Sequence, residues 1–479
     1  MIKTIKNFFS DNILNDSAFR IVYFTNLFLN SIAILDIVSV FVDALIFLWS
    51  IFIFADKIKR KVLKVKYFNL ILLFILFSLI TAVINIKIGF PINFIANLGM
   101  IYNTVICFFI FYGMYMDKSF NNIKNESILL FKIIITLTTF FTIVSFIMIL
   151  MCDSFSFGWD MPIIVRYEHV LGIVKGTNSF RFTGVYTNPN IVAFCSIVSI
   201  IFCHMLYRSS EFFKNKSNAI RLFFLVLLIS LNLTAIILSD SIASFLFLVI
   251  YFVFWIFYKL IVENKNFSIK SILKKGIVFF IASVALIFGL FTIRSDFQSG
   301  ASNVIDEIYS IISNSKAEVN LDENVHFGRQ NHDIRDGSGR SRLLKQAFII
   351  FSKHPILGIG NTNIVDYGKI YFEEGIAFPN FHNGYVSILV CNGIIGFLIF
   401  MTFLTLVLFE LVRFLFNCSK NLGYNIFPNL LVAILSYLIF ALFEKTIFSE
   451  VNYMSLFFWL ILGYAVSFLY NNQDNFIKN

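Results

Sequence analysis

Charge is scarce in this chain. Only 14% of its 479 residues are Asp, Glu, Lys or Arg, against about 25% in ordinary soluble domains, which excludes a soluble globular body. Cysteine chemistry is equally thin. The six cysteines are Cys107, Cys152, Cys195, Cys203, Cys391 and Cys418. They include no CxxC pair and no metal-ligand spacing, so neither a disulfide framework nor a metal site is expected. No repeat of fixed period and no linker between folded domains is present, which argues against a solenoid. No secretory signal is expected either. Met1–Ser17 is polar and amphipathic, and no small-residue cleavage site follows the first apolar run.

What remains is apolar: 58% of the residues are hydrophobic and 63 are Phe. The Phe content reads as lipid-facing surface and points to no function. A helix needs about 20 apolar residues to cross the bilayer core, and about twelve segments qualify. They fall at roughly 18–35, 37–55, 67–86, 91–115, 128–152, 188–207, 222–239, 241–258, 276–293, 384–409, 426–446 and 453–470. The formal charge of +10 is no nucleic-acid signal, because of where it sits. Lys57, Lys59, Arg60, Lys61, Lys64 and Lys66 form one basic connection, Lys214, Lys216 and Arg221 a second, and Lys259, Lys265, Lys270, Lys274 and Lys275 a third. Basic-poor connections alternate with these, as the positive-inside rule requires. Both termini are then cytoplasmic. Residues 153–187, the turn near Ser239–Ser241 and the long segment 294–383 lie outside.

The expected fold is therefore all-α, a polytopic integral membrane protein. Residues 1–293 hold helices one to nine and the external loop at 153–187. Residues 294–383 form a large external loop, and 384–479 hold the last three helices. In the first external loop, Arg181-Phe182-Thr183-Gly184 leads to Asn188-Pro189-Asn190. Asn188 suits a helix cap and Pro189 the first helical turn. In the second, Leu343, Leu344, Ala347, Phe348 and Phe351 recur at helical spacing. Polar residues interleave with them, which predicts an amphipathic helix at the membrane surface. His354-Pro355 ends that helix, Gly358 and Gly360 permit a tight turn, and a short helix follows near 365–374. His382 and Asn383 stand at the mouth of the next span.

An arginine near the external surface suits a diphosphate, because its planar fork binds phosphate oxygens in pairs and keeps its charge. Arg340 and Arg342 straddle the start of the surface helix, and Arg181 lies in the other loop. Arg166 and Arg294 read as headgroup anchors. Histidine is the usual general base near neutral pH. Of the six histidines, His326 and His332 lie in an irregular polar stretch and His354 suits a structural turn. His382 closes the segment that Arg340 opens. Asp43, within the second span, reads as a structural hydrogen-bonding group and would be a proton-relay candidate only in a transporter. Glu410 and Glu444 read as charges near helix ends.

In order, the chain shows Ser338-Gly339-Arg340, the striped helix, His-Pro-Ile-Leu-Gly-Ile-Gly at 354–360, His382-Asn383-Gly384-Tyr385 and Asn392-Gly393-Ile394-Ile395-Gly396. This series resembles the O-antigen ligase and polymerase superfamily over residues 335–400, with a weaker likeness at 180–200. The resemblance implies a GT-C-like membrane glycosyltransferase of the bacterial inner membrane. It implies a metal-independent inverting enzyme without a cofactor. Its donor would be a glycan on undecaprenyl diphosphate, its acceptor a sugar hydroxyl, and its product a surface polysaccharide such as lipopolysaccharide O-antigen or capsule. The partners implied are the bilayer, a flippase and chain-length regulators. By the same likeness, Arg340 would hold the diphosphate, and His382 would activate the acceptor or position the donor. Arg181 would be a second anion contact, with Arg342, Asn383 and Asn190 lining the substrate. One departure stands out: relatives commonly carry Ser-Arg where this chain has Ser241-Ile242. That favours a polymerase over a ligase. A polytopic transporter or flippase is the rival reading. It would place its site on intramembrane charges or repeated broken helices, and the polar residues here concentrate in one external loop instead.

Overall fold

The structure, a computed structural model, describes residues 14–116, 119–150, 156–161, 164–170, 172–175, 180–209, 211–213, 215–263, 283, 289–290, 292–305, 307–308, 340–376, 379–418, 426–447 and 452–476. The expectations for Met1–Ser17 (apart from its last residues), most of the span at 276–293, His326, His332, Ser338-Gly339 and the third basic connection beyond 263 lie outside the described residues.

Thirteen α-helices carry the description: α1 Asp16–Leu29, α2 Asp36–Arg60, α3 Phe68–Ile84, α4 Ile92–Ile106, α5 Phe120–Leu150, α6 Pro189–Arg208, α7 Asn218–Leu238, α8 Ile242–Phe257, α9 Arg340–Lys353, α10 Ile364–Tyr371, α11 Gly384–Cys418, α12 Ile426–Phe440 and α13 Tyr453–Phe476. Among the described residues, seven helical stretches are long and apolar enough to cross a membrane, and α3 and α12 are shorter apolar helices. The chain is thus a multi-pass, mostly helical membrane protein.

Strands are the main departure from the all-α expectation. The loop before α6 carries two antiparallel hairpins, Ser156–Met161 (β1) with Ile164–Val170 (β2) and Gly172–Lys175 (β3) with Phe180–Gly184 (β4). Outside the apolar spans the local sequence decides. Ile164, Val165, Tyr167 and Val170 are residue types that favour extended backbone. A second departure concerns the long loop, because residues 292–305 are helical, past the span boundary expected at 293.

The bundle packs round α13 and α6. Phe108 lies 4.8 Å from the Trp459 ring, edge on, and Phe131 stacks on Phe202 at 4.0 Å. Helix α4 loses regular winding where it meets α13, passing into a π turn at Cys107–Phe111 and a 3-10 turn at Tyr112–Met116. Gly463 is the reason the two can approach: a Cβ there would stand 2.2 Å from the Phe111 carbonyl oxygen. Gly463→Val is expected to cost about 1–3 kcal/mol by overpacking. The check is the detergent melting temperature of purified protein, which should fall by several degrees.

Candidate active site

The amphipathic helix is α9. Its buried face presents Leu343, Gln346, Ala347 and Ile350, packed in a small core with Ile359, Ile364, Tyr367, Phe381 and Val390. Phe348 and Ile349 point outward, as a surface helix requires. His354 is structural, as expected. Its Nε2 lies 2.8 Å from the Tyr371 hydroxyl, and partial burial pushes its pKa down, favouring the neutral ring.

The 355–360 turn seats the loop against a broken helix. At Gly393 α11 adopts φ 63° and ψ −177°, a conformation essentially confined to glycine. The backbone groups around that break are taken up by the turn. Ile394 N donates to Pro355 O at 2.8 Å, while Ile359 N and Gly360 N donate to Val390 O and Cys391 O at 3.1 and 2.9 Å. Gly358, at φ 73°, lies so close that a Cβ would stand 2.5 Å from Gly393 N. Polar side chains of α3 and α4 complete the seat. Thr81 Oγ1 donates to Leu357 O at 2.6 Å, Asn85 Nδ2 to Gly358 O at 3.3 Å, and Asn93 Nδ2 to Asp366 Oδ2 at 2.6 Å.

Arg340 and His382, 42 positions apart in sequence, come together on Glu444. Arg340 Nη2 donates to Glu444 Oε1 at 3.1 Å, and His382 Nδ1 lies 3.3 Å from Glu444 Oε2. Glu444 reaches them because α12 stops at Phe440, short of the expected 446. Its next carbonyl, Ala441 O, accepts from Gly384 N at 2.7 Å. Lys445 Nζ donates to Pro379 O at 3.2 Å. The side chains of Arg340 and His382 keep 32% and 23% of their exposure, so the cluster opens to solvent and can receive a ligand. His382 has φ 48°, a left-handed conformation uncommon outside glycine and found disproportionately at functional sites.

The remaining expected residues fall elsewhere. Arg342 pairs with Glu374 in the open, away from Glu444. Asn383 is a local cap, its Oδ1 accepting from Val386 N at 3.0 Å. Arg181 and Asn190 do meet. Arg181 Nη2 donates to Asn190 Oδ1 at 2.8 Å and its Nε to Ser239 O at 3.0 Å. The expected cap also forms, with Ile191 N donating to Asn188 Oδ1 at 3.1 Å. Arg294 corrects the headgroup-anchor reading. It is buried and ion-paired with Asp240, to which Gln298 also donates at 3.1 Å. Two guanidinium groups therefore flank Ser239-Asp240, next to the position where Ile242 stands in place of an arginine. This second cluster lies at the same end of the bundle as the first. Phe247 of α8 and Phe440 of α12 have ring centroids 5.2 Å apart, and Arg294 lies over the Phe245 ring at 5.7 Å.

Together the two clusters present guanidinium groups that can face an anion, and an imidazole held by a carboxylate. Among the described residues, no group of three or more His, Cys, Asp or Glu is placed to hold a metal. Residues 223–401 match the O-antigen ligase family model. That stretch holds Ser239-Asp240, Arg294, Arg340 and His382, and leaves Arg181, Asn190 and Glu444 outside it. No curated protein matches the chain.

Proposed function

For this chain, which belongs to the O-antigen ligase and polymerase superfamily, we propose the activity of a surface-polysaccharide polymerase. It moves a glycan from a polyprenyl diphosphate to a sugar hydroxyl at the outer face of the bacterial inner membrane, with both termini cytoplasmic. The observation that carries the reading is the meeting of Arg340 and His382 on Glu444.

The acceptor oxygen attacks the anomeric carbon from the face opposite the diphosphate, which gives inversion. As the new C–O bond forms, the bond from that carbon to the phosphate oxygen breaks, and the electron pair leaves with the diphosphate. Arg340 stabilises that charge. The acceptor proton passes to His382, whose Nδ1 is held by Glu444, so Nε2 is the nitrogen that takes it. Without donor, Glu444 balances Arg340. The donor brings its own negative charge to the guanidinium and leaves Glu444 to orient the imidazole. Arg181, with Asn190, is the second anion contact. Arg342 and Asn383 contribute at the edge of the donor path and by setting the backbone after His382. The chemistry uses no metal and no cofactor.

Ile242 in the arginine position favours polymerase. The ligase reading has its own support, since Arg181 and Arg294 bring guanidinium groups to the same place from other elements. Electrophoresis of surface glycan from a deletion strain complemented with wild type, Arg340→Ala or His382→Ala decides. Loss of the ladder, with one repeat unit still on its final acceptor, is the expected result. Long chains that stay on the polyprenyl carrier would mean ligase. Normal ladders from both variants at normal protein level would remove the assignment.

A further inference from the structure

The membrane body holds a mostly apolar cleft with a carboxylate in its wall, which this transfer does not use. Between α1, α2 and α4 lies a cavity of about 310 Å³, lined among others by Tyr23, Asp43, Phe47, Gly99, Tyr102 and Asn103. Asp43 is half-buried in α2, seven positions after its first residue, Asp36, and so about 10 Å down the helix. That end of α2 is the end that carries Arg181, because Ala33 N donates to Val185 O and Thr187 N to Ser31 O, both at about 3 Å. Asn30, which closes α1, donates from Nδ2 to Asp43 Oδ2 at 2.9 Å, and Asn26 Nδ2 donates to Asp43 Oδ1 at 2.6 Å. The carboxylate therefore stands level with the end of the short helix α1, near the edge of the bundle rather than at its middle.

Asp43 is the acidic side chain of the cleft lining. Each Asp43 oxygen receives one hydrogen bond from the described residues, and a carboxylate oxygen has room for two. Tyr23 already spends its hydroxyl proton on Asn103 Oδ1 at 2.9 Å. No cation among the described residues pairs with Asp43, whose printed partners are the two Asn amides, and an ammonium group supplies both the missing charge and N–H donors. The walls agree: Tyr23, Phe47 and Tyr102 present aromatic rings, with Phe47 and Tyr102 centroids 4.7 Å apart, and ring faces attract ammonium. The surface beside the cleft is apolar. Phe47, Leu48 and Leu98 are exposed there, and nothing stands within 4 Å of a Cβ built on Gly99.

We propose that this cleft binds a phospholipid with a primary-amine headgroup, its ammonium on Asp43 and its acyl chain along α2 and α4. A partner helix inserting a lysine would use the same chemistry. The lipid is favoured because the side chains bordering the cleft are exposed and apolar.

The full chain in detergent, examined by native mass spectrometry with equimolar phosphatidylethanolamine and phosphatidylglycerol of matched acyl chains, tests this. Wild type should retain the amine lipid about fivefold over the other, a preference of the size a partly desolvated cation contact gives. Asp43→Asn, which keeps size and polarity, should abolish the preference. Gly99→Leu, which fills the mouth and leaves the hydrogen bonds intact, should do the same with an unchanged melting temperature. N-acylated phosphatidylethanolamine, which lacks the cation, should bind no better than phosphatidylglycerol. Equal binding of the two lipids by wild type would overturn the proposal. So would a preference that survives both substitutions, or a membrane protein rather than lipid captured by a photocrosslinker at position 99. None of these outcomes depends on glycan transfer, so the cleft and the transferase reading fail separately.

Discussion

Glu444→Gln is expected to lower turnover about 100-fold, the scale on which a positioned general base contributes, while membrane protein level stays normal. The reason is the double contact of Glu444 with Arg340 and His382. Glutamine keeps the shape but not the charge that stabilises a protonated imidazole, so the proton transfer suffers. Donor binding should not suffer with it. Arg340 loses a competing anion, and the KM for a polyprenyl-diphosphate donor should stay level or fall. Arg340→Ala should also lower kcat but shift KM the other way, raising it for the donor, because it removes the cation itself. Steady-state kinetics on reconstituted protein with a defined lipid-linked donor separates the two. If Glu444→Gln raises donor KM and leaves kcat alone, the carboxylate serves binding and the assigned role of His382 is wrong.

Glu444 also marks where sequence reading stops. Arg340 and His382 could be picked out because each stands in a recognisable local setting, a helix start and a helix mouth. Glu444 had none. Ala441, Leu442 and Phe443 continue the apolar run of α12, so hydropathy extends the span to 446. What ends the helix at Phe440 is a contact 57 positions away in sequence, Gly384 N donating to Ala441 O. Arg294 was misread for the same reason, since its partner Asp240 lies 54 positions away. A long-range pair leaves no periodic trace. By contrast, the Asn188 cap and the α9 stripe follow from neighbours along one helix, and they were legible; that Asp43 is a hydrogen-bonding group was legible too, but its partners Asn26 and Asn30 on another helix were not. The hairpins before α6 were missed, although residues 164–170 carry β-favouring types. Weight on the apolar segments alone hides them.

Gly393→Ala is the second large effect, and it tests the scaffold rather than the chemistry. Alanine at φ 63° and ψ −177° costs about 1–3 kcal/mol in backbone strain. Its methyl would also stand 2.1 Å from the Ile356 carbonyl oxygen, adding about 1–3 kcal/mol of overpacking. The cheapest relief is to straighten α11 into a continuous helix, because alanine favours the helical state that glycine resists. A straight α11 takes its own 390, 391 and 394 backbone groups back into helical hydrogen bonds, and the turn at 355–360 loses its three anchors. Arg340, His382 and Glu444 keep their identities but lose the seat that brings α9 to α11. The expected outcome is loss of polymer with the bundle still inserted in the membrane, and protease cleavage newly admitted between α9 and α10. Gly358→Ala should reproduce this from the other side of the contact, since its Cβ meets the same backbone at 2.5 Å. Because the two strains relieve through one interface, the double variant should be no worse than the more damaging single one. Additive losses would mean that the turn and the break are separate devices, and that the helix is broken at Gly393 for some purpose other than seating the loop.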